Sequence, residues 1–267
     1  MHIGGGEPFL RPEGLYEVLE AAVEADVCVE YVETNSSWFC ASDRTDTILQ
    51  EIKARGVDTL LLSISPFHNA SVPFCKVAGL MRACEVNGVG VFPWTMEMLP
   101  EVQSLDPGTT HSLDEYRERF GDRFIPDAMN RYGVVPGGTA LKTLAPYMAK
   151  RSIEVLLRGP SPCSRLMRTT HFHVDLFGNY VPCLCPGLSI RLEDLADELD
   201  ADRYPILNAL VRDGVRGLLD LAVTEHGFAP SPDGYTLPCE LCHIIRAHLA
   251  LGGAFPSPEL QPVEFYE

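Results

Sequence analysis

Positive charge is scarce in this chain. Lysine and arginine total 21 against 37 aspartate and glutamate residues, a formal net charge of −16. Nucleic acid and anionic membrane are both held through basic surface, so neither is expected as a main partner. Long apolar runs are missing as well. No stretch of 18 apolar residues occurs, and no transmembrane helix is expected. No basic segment followed by an apolar one stands at the start, so no secretory signal is expected and the cytoplasm is the default location. No internal repeat or low-complexity tract is evident.

What is present suffices for a packed protein. Of 267 residues 46% are hydrophobic, enough for one large domain or two small ones. There are nine cysteines: Cys28, Cys40, Cys75, Cys84, Cys163, Cys183, Cys185, Cys239 and Cys242. In a reducing compartment they point to metal binding or buried thiols rather than disulfides. Cys28, Cys75 and Cys84 fall in apolar strand or helix segments and are expected to face the core.

Apolar periodicity in the first half alternates between strand and helix. Strands are expected at 27–32, 59–64, 89–92 and 132–135, and helices at 13–25, 43–55 and 73–86. Asp43 is a candidate cap for the second helix. This alternation predicts right-handed βαβ units and a parallel sheet or barrel. Residues 96–127 read as a lid or insertion with one short helix near 113–120. After about residue 150 the alternation fades and Cys, Gly and Pro become dense. A boundary near 155 therefore separates an α/β unit, 1–155, from a small α+β cysteine-rich unit, 156–267. The proline-rich acidic stretch 255–267 is expected to be a loose tail.

Active sites in such folds sit at the carboxyl ends of the strands. His2-Ile3 followed by Gly4-Gly5-Gly6-Glu7-Pro8 reads as a strand ending in a tight turn. Glycines there let a ligand approach bare backbone. Glu7 offers an acceptor for a ligand ammonium, and Pro8 fixes the exit into the next helix. Asn35, Ser63, His68, Phe92, Trp94, Gly137 and Gly138 fall at other strand ends. Each also has a plain structural reading, as turn residue, cap or core.

The second half carries Cys163, then Gly178 to Cys183 as GxxxxC, then Cys239-Glu240-Leu241-Cys242 as CxxC. Residues 171–182 look like a hairpin, with His171 and His173 on one face. The CxxC opens an expected helix over 243–251, whose dipole favours thiolates. Four thiolates from a hairpin and a helix start can close one site. Zinc and an iron–sulfur cluster both accept that donor set, and taken alone it favours zinc.

The run HIGGGEPFL resembles the GGEP motif of radical S-adenosylmethionine (radical SAM) enzymes, and the cysteine pattern resembles the auxiliary-cluster region of their SPASM/twitch group. The resemblance covers nearly the whole chain. The resemblance implies a partial (β/α) TIM-like barrel missing its first strand over 1–155, and an auxiliary-cluster domain over 156–267. It implies that Gly5, Gly6, Glu7 and Pro8 hold the amino group of S-adenosylmethionine, with Asn35 and Ser63 near its methionine or ribose part. It assigns Cys163, Cys183, Cys239 and Cys242 to one auxiliary 4Fe–4S cluster, zinc being the alternative, and leaves Cys185 unassigned. The family's catalytic CxxxCxxC lies after the first barrel strand. No three cysteines here have that spacing, so no catalytic residue is assigned and the chain as written is expected not to make the 5′-deoxyadenosyl radical. Gly138-Thr139-Ala140 stands where the family shows Gly-Arg-Ala. The expectation is thus an incomplete radical SAM chain whose parent modifies a peptide or small metabolite, with a reductase as electron donor. The alternative is a non-catalytic metal-binding protein for electron transfer or interaction.

Overall fold

The computed structural model describes all residues except 95, 132, 135, 136, 159, 160, 184, 197, 253, 254 and 256. The chain divides into two compact units, Met1–Ala128 and Met129–Glu267.

The first unit is α/β. Strands β1 (His2–Ile3), β2 (Tyr31–Thr34), β3 (Thr59–Ser63) and β4 (Gly90–Trp94) form one parallel sheet in the order β1-β2-β3-β4. His2 pairs with Tyr31, Val32 with Leu60, and Leu60 with Val91. Helices α1 (Pro12–Glu24), α2 (Asp43–Ala54), α3 (Pro66–Asn69) and α4 (Phe74–Asn87) fill the crossovers. Right-handed crossovers between strands taken in sequence order place the connecting helices on one face. Val32, Leu60 and Leu62 are fully buried, matching the buried stripes Leu15, Leu19 and Ala22 of α1 and Ile48, Leu49 and Ile52 of α2. Alternate residues point the other way, and there Phe92 and Trp94 are 48% and 40% exposed.

Local chemistry sets the element ends. Pro12 opens α1 at a position that needs no amide donor. Gly88, at φ 63°, closes α4 in the left-handed conformation glycine tolerates. Ser42, not Asp43, precedes α2, and Asp43 and Asp46 sit in its first turn, where the helix dipole favours acids. The expected strand 27–32 begins late. Asp26 turns at φ 55° and Val27 N–H returns to the Ala22 carbonyl, which completes the helix exit. Glu30 N–H then donates to Met1 O at 2.8 Å, just ahead of the His2–Tyr31 pair.

The expected lid is more ordered than its composition indicates. It holds α5 (Leu99–Gln103), α6 (Leu113–Phe120) and α7 (Phe124–Arg131). Ser112 and Glu115 form a capping box at α6. Tyr116 Oη donates to Asn69 Oδ1 at 2.7 Å, tying α6 to α3.

The second unit contains α8 (Thr139–Leu144), α9 (Ile153–Leu156), β5 (Phe172–Val174), β6 (Asn179–Pro182), β7 (Ile190–Arg191), α10 (Pro205–Arg212), α11 (Gly214–His226) and α12 (Pro238–Leu251). Strands β5, β6 and β7 form an antiparallel sheet in that order. Leu188, Tyr204, Ile206, Leu210, Leu218, Leu241 and Ile245 make its core. The boundary expected near 155 falls inside this unit. Arg151 exchanges backbone hydrogen bonds with Tyr235 at 2.8 and 3.0 Å, and Leu157 belongs to the same core. The strand expected over 132–135 rests on Tyr132 and Val135, which lie outside the described residues. Among the described residues no helix is long and apolar enough to cross a membrane.

The supposed loose tail is part of the core. Leu260 and Tyr266 are buried, and Glu259 is completely so. Its carboxylate accepts from Ile206 N at 2.7 Å and Leu207 N at 2.8 Å, capping α10 from a distant segment. Burial pushes this carboxyl up to about 7, against the amide bonds that lower it. The folded chain therefore binds this proton more tightly than the unfolded chain, whose value is near 4.5. Stability from the group is complete below that value and is lost as pH rises through about 7, a span of order 3 kcal/mol. Urea midpoints across that window are expected to fall with rising pH in the wild type and to flatten in Glu259→Gln. Parallel slopes in the two proteins would show that another group titrates.

Candidate functional site

Two constellations emerge, one in each unit. In the first, the glycine turn lies beyond β1. Gly5 and Gly6 take φ of 82° and 54°, and a Cβ on either would meet nothing within 4 Å. Their glycine character follows from backbone conformation, and the space above them is open. Gly4 is different, since a Cβ there would lie 2.8 Å from Glu33 Oε2.

Glu7 points inward to β2. Thr34 Oγ1 donates to its two oxygens at 2.9 and 3.0 Å, Asn35 N–H donates at 2.7 Å, and Phe9 N–H at 3.3 Å. Trp38 Nε1 donates to Thr34 Oγ1 at 2.9 Å, and the Trp38 ring stacks on Phe9 with centroids 4.7 Å apart. Burial raises the Glu7 carboxyl, with the Asn35, Thr34 and Phe9 bonds opposing. Three donors leave about one acceptor position on the carboxylate. The group expected to be held out for a ligand ammonium thus serves first as a clamp between two strand ends. Gly4, Gly5 and Gly6 are exposed.

The other expected residues take local roles. Pro8 begins a short 3-10 turn with Glu7 as its cap. Asn35 Oδ1 accepts from Ser37 N at 2.8 Å. Ser36, at φ 66°, is buried with no partner for its hydroxyl. Ser63 is half-buried and pairs in register with Trp94. His68 Nδ1 lies 2.7 Å from Ser65 Oγ, and burial lowers its pKa. Gly137 and Gly138 precede α8, in the second unit. The first unit also has a cleft of about 560 Å³ lined by Phe74, Met81, Arg82, Val91 and Leu99. None of the expected ligand residues lines it.

The second constellation is sulfur. Cys239 is the second residue of α12 and Cys242 follows one turn later. Pro238 opens the helix, and Glu240 reaches back to accept from Thr236 N and Oγ1, both at 2.6 Å. Cys163 N–H donates to Leu210 O at 2.9 Å, fixing that loop on α10. The fourth thiol is Cys185. Burial pushes it up to about 12; the Arg246 charge opposes, and Cys163, Cys242 and Cys239 add to the rise. Cys239 and Cys242 are raised by burial too, and both feel Cys163.

Cys183 does not share this environment. It sits past the end of β6 at φ 52°, and its carbonyl accepts from His173 Nδ1 at 3.0 Å. The chain then turns, Cys185 N–H donating to Pro182 O at 3.2 Å, and Cys185 packs on the core. The GxxxxC spacing points to Cys183, whereas the thiol that feels the charges of Cys163, Cys239 and Cys242 is Cys185. His171 and His173 approach to 3.4 Å between Nε2 atoms on an exposed strand. Of the thiols expected in the core, Cys84 is buried, whereas Cys28 and Cys75 are exposed.

Arg246 also escaped the sequence reading. It is 5% exposed and lies beside Cys242 and Cys185. Its position seven residues after Cys239 and four after Cys242 was the available signal, because such spacings share a helix face. His243 is held neutral, pushed down to about 4 by burial, then by Arg246 and Lys142.

No protein-family model, curated protein or solved structure matches this chain.

Burial and mutual repulsion both disfavour four thiolates at one place, and a bound cation reverses that balance. Cys185→Ser is expected to reduce bound metal per chain at least tenfold, and Cys183→Ser to leave it unchanged. Metal analysis by plasma mass spectrometry after anaerobic loading reads both; the reverse pattern would restore Cys183 as the ligand.

Proposed function

We propose that this chain is an iron–sulfur protein of the radical SAM type, with one auxiliary 4Fe–4S cluster of the SPASM/twitch kind. The observation that carries the reading is the grouping of Cys163, Cys185, Cys239 and Cys242, three of them raised by burial and mutual charge, around a buried guanidinium. Among the described residues no three of these sulfurs lie within 4.8 Å of one another.

The first unit fits a partial (β/α) barrel. Its parallel strands run in sequence order, and its glycine turn opens at their carboxyl ends. Under this reading the Gly5 and Gly6 backbone receives the amino group of S-adenosylmethionine, while Glu7 fixes that loop against Thr34 and Asn35. Asn35 and Ser63 stand at neighbouring strand ends for the methionine or ribose part. When bound, the cluster supplies one-electron chemistry. The partners are a peptide or small metabolite and a reductase as electron donor. The nine cysteines contain no CxxxCxxC, so no radical-generating step is assigned to these residues. That same fact favours a second reading, a non-catalytic iron–sulfur or zinc protein serving electron transfer or interaction.

Anaerobic reconstitution of the full chain with iron and sulfide tests the proposal. The expected result is about four irons per chain, abolished in Cys239→Ala, with an EPR signal that S-adenosylmethionine does not change. Stoichiometric zinc and no stable cluster would replace the iron–sulfur assignment with a structural zinc site.

A further inference from the structure

The proposed cluster site leaves a charged group without a role. Arg246 lies on α12 on the same face as Cys239 and Cys242 and is 5% exposed. Its Nη1 donates to Pro186 O at 3.1 Å and to Tyr266 Oη at 3.0 Å. Tyr266 Oη donates onward to Gly187 O, which holds the phenol in place. Nε is buried and has no hydrogen-bond partner. A guanidinium withdrawn from water requires a counter-charge and filled donors. The groups that favour its charge are the Tyr266 phenol and the thiols of Cys242 and Cys185, Cys242 also through a side-chain hydrogen bond. Carbonyls and a phenol carry little compensating charge, and neutral thiols carry none. The arrangement is complete only when the sulfurs are anionic, which is the state a bound cluster imposes.

We propose that Arg246 sets the reduction potential of the cluster held by Cys163, Cys185, Cys239 and Cys242, with its unpartnered Nε–H donating to a cluster or thiolate sulfur. The inference rests on the iron–sulfur reading. One-electron reduction, with dithionite as donor, adds a negative charge to the cluster. A fixed positive charge and an N–H···S bond stabilise that more negative state and raise the potential. Arg246 supplies no ligand atom; it acts by its charge and its N–H on the cluster and its sulfurs.

The test compares wild type, Arg246→Met and Arg246→Lys, each the full chain reconstituted anaerobically, with iron and sulfide counted before an EPR-monitored dithionite titration. Methionine keeps much of the stem volume and removes the charge. Lysine keeps the charge and loses the planar donor fork. Loss of charge is expected to reduce the reduction equilibrium constant at least tenfold, a shift of about 59 mV to lower potential for one electron. Lysine is expected to lower it about threefold. A purely structural arginine would change thermal stability and leave the potential of loaded protein in place. Full cluster content with an unmoved potential in Arg246→Met therefore overturns the inference while sparing the iron–sulfur reading. Wild type that binds no cluster overturns both. If Arg246→Met holds no cluster, Arg246→Lys decides: a lowered potential supports the role, and a wild-type potential overturns it.

Discussion

A guanidinium taken out of water must be answered by anions and acceptors, and the second unit is arranged around that demand. Arg246 draws the Pro186 carbonyl, the Tyr266 phenol and the sulfurs of Cys242 and Cys185 toward α12. Tyr266 comes from the end of the chain and Pro186 from the turn after β6. Satisfying one buried charge thus helps fix the loop that presents Cys185 and the terminal segment that covers it. The same segment carries Glu259, which answers the open amides of α10, the helix to which the Cys163 loop is pinned. Removal of any one of these polar groups leaves a buried partner unmatched, which costs more than the bond itself.

The first unit depends on a different link. Parallel strands joined through helices leave their carboxyl ends as separate loops. Glu7 joins two of them by accepting from Thr34 and Asn35. Thr34 in turn receives Trp38 and Ser36, and Trp38 stacks on Phe9. The glycine turn is therefore anchored directly beyond the residues that need freedom. An anchored rim with exposed backbone suits a site that recognises a ligand through main-chain atoms, since the loop is ordered before the ligand arrives.

Sequence and structure agree best where the determinants are local. The helix expected near 113–120 is Leu113–Phe120, because Ser112 and Glu115 cap it without help from distant residues. Helices α1, α2 and α4 follow their apolar stripes to within a residue or two. Agreement fails where distant groups decide. Strand β2 starts late because Asp26 and Val27 still close helix α1 and its partner β1 offers only His2 and Ile3 for pairing. The segment 255–267 reads as a polar tail, yet Glu259 and Tyr266 are buried because helix amides and Arg246 need them. GxxxxC spacing points to Cys183, yet after the turn at Pro182 it is Cys185 that packs on the core and feels the other three thiols.

The sequence by itself determined the α/β alternation, the glycine turn and the supply of thiols, since periodicity, glycine conformational freedom and CxxC spacing act over a few residues. Only the tertiary structure decided that Cys185 shares the surroundings of Cys163, Cys239 and Cys242, that Glu7 braces a loop, and that Arg246 stands beside the thiols. Those outcomes depend on desolvation and on partners 20 to 80 residues away along the chain, and no local pattern encodes either.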